Sequence, residues 1–423
     1  MEIRVSVSES VKRLLDKGVK IVNPLMVEIA DEIDPERISG DGVILYPGTR
    51  LYGEKTAILA GAVLGYEGPV IVEDCRIGPR VQLKGGYFKK ATFLDRASLA
   101  LGAHVREGCL LEEEANGAHT VGLKQTILFP FVTLGSLVNF CDCFMAGGTS
   151  RKDHSEVGSS YIHFNFTPEA DKTTASLLGD VPRGVMLRRP PIFLGGQGGI
   201  VGPVQMGYGA VVAAGSVVRH DVAGDNRLVV EAISHSLNRE FVPRRYPSLV
   251  RVVNTNVRYV ANLLALEQWY RHARQQFFAR QPLGLLLLEG ALENLDLAKK
   301  ERCKRLKEMA EKMPEAIGAA HDDAQEIDTL RKKDFHQNID ALLEILTAGR
   351  EKQAGAQLRE KFLPSLAAAG NEKDSDYISV IQGLSDEAVT TGTAWLQAIV
   401  DNIENATWRL LPRFTPDKSA QQR

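Results

Sequence analysis

The sequence predicts a mainly β N-terminal region, a left-handed parallel β-helix of hexapeptide repeats, followed by an all-α C-terminal domain. Small aliphatic residues recur at every sixth position between 38 and 222, often followed directly by Gly or Ala. Most of the 38 glycines fall before position 225, and the rest of the chain is rich in Leu, Ala, Glu and Lys. Beyond residue 249 the apolar spacing changes to three and four, the helical interval.

The six-residue period is read in four phases: Leu45, Leu51, Ala57 and Val63; Ile71, Ile77 and Leu83; Phe93, Leu99, Val105 and Leu111; and Leu194, Ile200, Met206, Val212 and Val218. Each hexapeptide supplies one short strand and one corner, and three of them close a triangular coil of about 18 residues. The aliphatic side chain points inward and stacks on its counterparts above and below, while glycine at a corner accepts backbone angles that β-branched residues resist. One coil buries almost nothing, so stability comes from stacking. Unrelated glycine-rich loops, a right-handed helix or a solenoid of another period are the alternatives.

The count breaks at 112–120, 145–156 and 164–192, where inserted residues must leave the prism as loops, the places where binding groups concentrate on a rigid scaffold. The expected organisation is an N-terminal helix and cap over 1–37, the β-helix over 38–242 with its loop insertion at 164–192, and a helical domain over 249–423. The segment VPRRYPS, with Pro243 and Pro247, marks the boundary. In the last region Val253, Val257, Val260 and Leu264, and Ile339, Leu342, Leu343 and Leu346, give the helical interval.

The 51 basic and 53 acidic side chains nearly balance, which argues against a dedicated nucleic-acid binder. The N-terminus has no apolar signal core, and no window offers the roughly 18 apolar residues of a membrane span, so a cytoplasmic protein is expected. Five scattered cysteines suggest reduced structural thiols. Cys141 and Cys143 fall on one face of a strand with no histidine at zinc spacing, so no metal is expected. LGGQGG at 194–199 lacks a following Gly-Lys-Ser/Thr and reads as a tight turn.

VKRLLDKGVKIVNPLMVEI, VILYPGTRLYG, HSEVGSSYIHFNF, VGPVQMGYGAVVAAGSVV and EAIS, spread over roughly residues 11–240, carry a resemblance. They are similar to the acetyltransferase half of the bacterial bifunctional N-acetylglucosamine-1-phosphate uridyltransferases, and to UDP-N-acetylglucosamine pyrophosphorylase-related proteins named after them. The resemblance implies a homotrimer with sites between neighbouring β-helices and acetyl-CoA or another acyl-CoA as co-substrate. The acceptor it implies is an amino sugar phosphate or nucleotide sugar. No Gly-X-Gly-Thr-Arg nucleotide loop occurs, so pyrophosphorylase activity is not expected.

Carried over residue by residue, His154 stands at the family's general base and Asn165 at its loop asparagine. Ala213 and Ala214 match small residues near the thioester, and His235 replaces a tail arginine on the cofactor side. Val157 stands where the family has tyrosine, the loop reads Asn165-Phe166-Thr167-Pro168, and Gly196 replaces a serine. Thioester aminolysis needs a base as the tetrahedral intermediate forms, and histidine titrates near cytoplasmic pH. His154 fills that role, with a corner histidine bonding a backbone carbonyl as the plain alternative. Glu156 would orient the imidazole, although spacing by two on a strand gives a shared face by default. His163 is the backup base. Asn165 would hold the substrate or simply fill a corner. Lys172, Arg183, Arg188 and Arg189 would meet phosphates or remain solvated loop charges. The alternative function is a non-catalytic sugar-nucleotide binder or scaffold. The helical domain has no family counterpart, and would cap the β-helix, reinforce assembly or bind a protein partner.

Overall fold

A strand of two residues cannot hold itself, so each is bonded to the strand one coil above and one coil below. The computed structural model describes residues 6–231, 238, 243–318, 326–349, 353–370 and 376–416. All strand pairs of the prism are parallel, and they stack into three faces, forming the left-handed parallel β-helix that the six-residue period predicts. Face A runs through eleven strands from Lys20–Ile21 to Leu228–Val229. Face B includes Arg50–Tyr52, Gly86–Lys89, Ala103–Val105, Ile162–Phe164 and Gly199–Val201. Face C includes Arg76–Ile77, Ala91–Phe93, Cys109–Leu111, Ser176–Leu178 and Gln205–Met206. Gly122–Leu128 and Asn139–Met145 each turn the corner between B and C.

Inside face B, Leu51, Val72, Phe88, Val105, Leu123 and Phe140 are buried in successive coils, and Ile200 and Val218 continue the stack beyond His163. Ala57, Val63 and Ile71, assigned to the inward phase, do not point inward: Ile58 takes the interior in register with Ile77 while Ala57 pairs with outward Arg76, and Val63 and Ile71 are only half-buried because Leu64, Val70 and Val72 take the interior. Longer corners after Tyr52 and after Leu64 shift the phase. The stretch 112–120 stays in the prism, since Asn116–Gly117 pairs within face A. The long excursion 164–192 is divided by Ser176–Leu178, which returns to face C.

Helix α1 (Glu9–Asp16), capped by the Ser8 hydroxyl accepting from Val11 N–H, buries Val11 and Leu14 at the first coil. The short α2 (Val181–Gly184) lies within the second half of the excursion. Among the described residues nine further helices follow: α3 (Leu249–Trp269), α4 (Gln275–Phe278), α5 (Gly284–Glu311), α6 (Met313–Gly318), α7 (Glu326–Gln337), α8 (Ile339–Thr347), α9 (Ala356–Ala369), α10 (Tyr377–Gln382) and α11 (Asp386–Leu410).

Face C explains where they go. Its strands read Ala-Thr-Phe, Cys-Leu-Leu, Thr-Ile-Leu, Cys-Phe-Met and Ser-Leu-Leu, and every one of these residues is buried. A sheet apolar on both sides needs a second layer, and α3 and α5 supply it. Each outward Leu110, Ile127 or Phe144 so covered contributes about 1.5–3 kcal/mol. Gly290 lets α5 approach: a Cβ there would lie 2.6 Å from Thr92 Oγ1 and 2.8 Å from Arg76 Cγ. Polar ties fix the register. Thr92 donates to Asn294 Oδ1 (2.6 Å), Arg76 pairs with Glu293 (2.9 Å), and Arg302 pairs with Asp142 (2.6 Å). Among the described residues the helices therefore wall face C, and side chains such as Phe193 and Val211 on face A and Ile162 and Phe164 on face B are exposed.

Candidate functional site

Between faces C and A the chain leaves the prism as a small hairpin, Gly148–Ser150 antiparallel to Asp153–His154. Gly148 sits at φ +97°, and a Cβ there would fall 2.6 Å from His154 Cα, so no other residue closes the turn without displacing the histidine. Ser155 pins the hairpin base, donating to Ala146 O (2.9 Å) and accepting from Ile192 N–H (2.8 Å).

His154 Nδ1 lies 2.9 Å from Arg151 O. A carbonyl only accepts, so Nδ1 carries the proton and, in the neutral ring, Nε2 carries the lone pair. Nε2 is 3.8 Å from Glu156 Oε2, and the histidine side chain is 20% exposed. The carbonyl bond and an available base nitrogen thus coexist in one residue.

Glu156 ends a polar ladder. Ser98, Asn116, Thr133 and Glu156 occupy the same outward register in successive coils of face A and line a groove of about 590 Å³. Arg96, Lys84, Glu114 and Arg151 form its rim. Arg151 donates to Phe131 O (2.7 Å) and Thr133 Oγ1 (3.0 Å), and with the Asn116 amide oxygen turned toward it, to Asn116 as well. Its burial lowers the guanidinium pKa, against the opposing effect of Glu114. Sequence reasoning missed this groove. Its signal was present, a polar residue directly before each inward Leu99, Gly117, Leu134 and Val157.

The other candidates lie elsewhere. His163 faces the prism interior, 2% exposed, in the stack between Phe140 and Ile200, with Nε2 2.7 Å from Ser176 Oγ. Asn165 Nδ2 reaches Asp142 Oδ2 at 3.4 Å, and Asp142 is held by Arg302 of α5. Lys172 gives its carbonyl to the same arginine (3.2 Å). Arg183 pairs with Asp180 and Asp225, each at 2.6 Å. Arg188 pairs with Asp386 (2.8 Å) and donates to Gln382 O (2.9 Å) and Leu384 O. The Arg189 carbonyl accepts from Gly148 N–H (3.0 Å). Ala213 and Ala214 form a corner between faces A and B, stacked on Gly195 so tightly that a Cβ on that glycine would lie 2.3 Å from Ala214 N. His235 lies outside the described residues. The five cysteines carry no disulfide, and among the described residues no cluster of three or more His, Cys, Asp or Glu is poised for a metal. No helix among them is long and apolar enough to cross a membrane.

Burial pushes the His163 pKa down to about 4 from 6.5, with Asp142 opposing. The unfolded chain therefore binds a proton that the folded chain refuses between those values, and stability falls by about 3 kcal/mol as pH drops from 6.5 to 4. Glu112, pushed up to about 7 by burial, acts oppositely in an overlapping window. The readout is accordingly the difference between wild type and His163→Leu in urea unfolding at pH 4.5 and 7. The leucine variant gains relative stability at the acid end, and an unchanged difference contradicts the assignment.

No family model matches the chain. Curated relatives do. It is 25% identical over 212 residues to the bifunctional protein GlmU of Thermotoga maritima, covering 50% of this chain and 42% of the relative. To the protein of the same name from Trichlorobacter lovleyi it is 27% identical over 215 residues, 51% and 41% of the two chains. Over about half of its length, this chain is similar to the GlmU proteins. A third, from Thermosipho melanesiensis, shows 26% identity over 240 residues, 56% and 46%. The chain thus spans less than half the length of these GlmU relatives. Among solved structures, the polySia-specific acetyltransferase NeuO aligns over 55% of this chain and 89% of its own, at 12% identity and a TM-score of 0.15, a likeness too weak to bear on function.

Proposed function

We propose that the chain is an acyltransferase that moves an acyl group from a CoA thioester to an amino sugar phosphate or nucleotide sugar, with His154 as general base. The observation that carries this reading is the fixed tautomer of His154, whose Nε2 lone pair lies 3.8 Å from Glu156, the residue that lines the end of the face A groove. As the acceptor amine attacks the thioester carbonyl, Nε2 takes the amine proton, the tetrahedral intermediate collapses, and the C–S bond breaks. The proton then leaves with the CoA thiol. Glu156 stabilises the transient imidazolium. Thr133, Asn116 and the rim arginines offer hydrogen bonds to sugar hydroxyls and phosphate.

The family resemblance places the thioester at Ala213 and Ala214, in a corner whose coils stack through Gly195 and Gly158 with no side chain between them. Exposed apolar side chains on faces A and B support a homotrimer. Phe193, Val211 and Leu228 on face A and Ile162, Phe164 and Val201 on face B are all exposed in the upper coils. The GlmU relationship favours the same chemistry. Titration of wild type with acetyl-CoA in a calorimeter is expected to show saturable binding that Ala214→Trp abolishes. Absence of binding favours a second reading, a non-catalytic sugar-nucleotide binder or scaffold, which draws on Arg183 and Arg188 being saturated by their own chain.

A further inference from the structure

The His154 hairpin is too small to hold its own shape. It joins strands of three and two residues across an irregular register, and it is entered through Gly147 and Gly148, at φ +107° and +97°. An isolated ribbon of two strands is marginal in water at best. The position of the imidazole is therefore set by what grips the hairpin from outside.

The prism and its excursion supply part of that grip. Ser155 pins the base, Gly148 N–H donates to Arg189 O (3.0 Å), and the Arg151 guanidinium reaches Phe131 O and Thr133 Oγ1 on the face A side. A further grip comes from the helical region, 233 residues along the chain. Gln382, the last residue of α10, donates from Nε2 to Thr149 O (2.7 Å) and to Leu187 O (3.2 Å). Both neighbours are carbonyl oxygens, so the amide nitrogen is the end that must face them. We propose that the helical region serves as the outer brace of this hairpin, with Gln382 as a positioning residue for His154. The inference rests on the reading of His154 as general base.

Thr149 passes the constraint on. It follows Gly148, the residue paired with His154, and its hydroxyl donates to Asp153 Oδ2 (2.7 Å), immediately before the histidine. The brace itself is well anchored. Tyr377, Val380 and Ile381 are buried, Asp376 caps α10 by accepting from Ser379 N–H (3.0 Å), and Trp269 of α3 donates to the Tyr377 hydroxyl (3.0 Å). At the other end of α10, Arg188 donates to Gln382 O (2.9 Å) and to Leu384 O. The excursion that receives the second bond from the glutamine thus also holds its backbone. A catalytic group misplaced by about 1 Å can lose about 10²-fold in rate, so a tie on the strand beside the base bears on the chemistry as well as on the fold.

The test compares the full-length wild type with Gln382→Met, which keeps the side-chain length and removes both donors. Amide hydrogen exchange read by mass spectrometry should quicken about tenfold over peptides covering 148–155, as expected for two lost neutral hydrogen bonds, while peptides covering 98–117 of the prism exchange as before. In acyl transfer, kcat should fall about tenfold with the KM for acyl-CoA within a few-fold of wild type. Equal exchange at 148–155 in the two proteins, faster exchange spread evenly over the chain, or an unchanged kcat in an active enzyme would overturn the proposal. A wild type that transfers no acyl group sinks the general-base reading instead, and the exchange comparison still decides whether α10 braces the hairpin.

Discussion

Replacing Arg274 by Met should cost about 3–5 kcal/mol of stability, because it leaves two carboxylates buried without a counter-charge. Arg274 is fully buried where α3 passes into α4, 3.1 Å from Glu112 and in contact with Glu113, both on the edge of face C. Tyr377 stacks on it at 3.9 Å and Tyr270 at 4.9 Å, and the Tyr270 hydroxyl donates to Glu112 (2.6 Å). Burial already pushes the Glu112 pKa up to about 7 against the pull of the arginine. In the variant both carboxyls rise further. A raised carboxyl pKa in the folded state means stability lost as pH increases, so the deficit should be larger at pH 8 than at pH 5. All three tryptophans, Trp269, Trp395 and Trp408, lie in the helical region, so their fluorescence in urea reads this transition. The triple variant with Glu112→Gln and Glu113→Gln should recover most of the loss. A deficit independent of pH would contradict the ionic account.

His154→Ala should lower kcat for acyl transfer by about 10²–10⁴ while leaving the KM for acyl-CoA within a few-fold, the expected loss when a general base is removed. Glu156→Gln should cost only about tenfold, because its carboxylate acts from 3.8 Å and is half-exposed. A structural role for His154 predicts a different pattern, in which kcat and thermal midpoint fall together. Measuring both on each variant separates the two.

The hexapeptide period made the prism legible, because Leu45, Leu83, Leu99 and Leu111 are spaced by geometry that no helix or ordinary sheet shares. It failed at Ala57, Val63 and Ile71, where corners lengthen and the phase moves by a residue without any change in composition. The docking of the helices was also written in the sequence, in triplets such as Cys109-Leu110-Leu111 where an exposed face would alternate. The period alone does not draw attention to that second apolar side. Of the site, the hairpin at 145–156 was visible as a break in phase, and His154 and Glu156 fall within it. The groove was not, since Ser98, Asn116, Thr133 and Glu156 become neighbours only when coils stack. Nor does sequence reveal that Arg183 and Arg188 find partners in Asp225 and Asp386, far along the chain.

The account stands or falls on transfer of an acyl group at His154, beside the face A groove. Its most direct test follows free thiol as the wild-type protein is mixed with acetyl-CoA and a panel of amino sugar phosphates and nucleotide sugars. Acceptor-dependent release of CoA with at least one of them, matched by mass gain of the acceptor, is the predicted result. Release at the rate of the protein-free mixture for every acceptor, or equal release by His154→Ala, contradicts it.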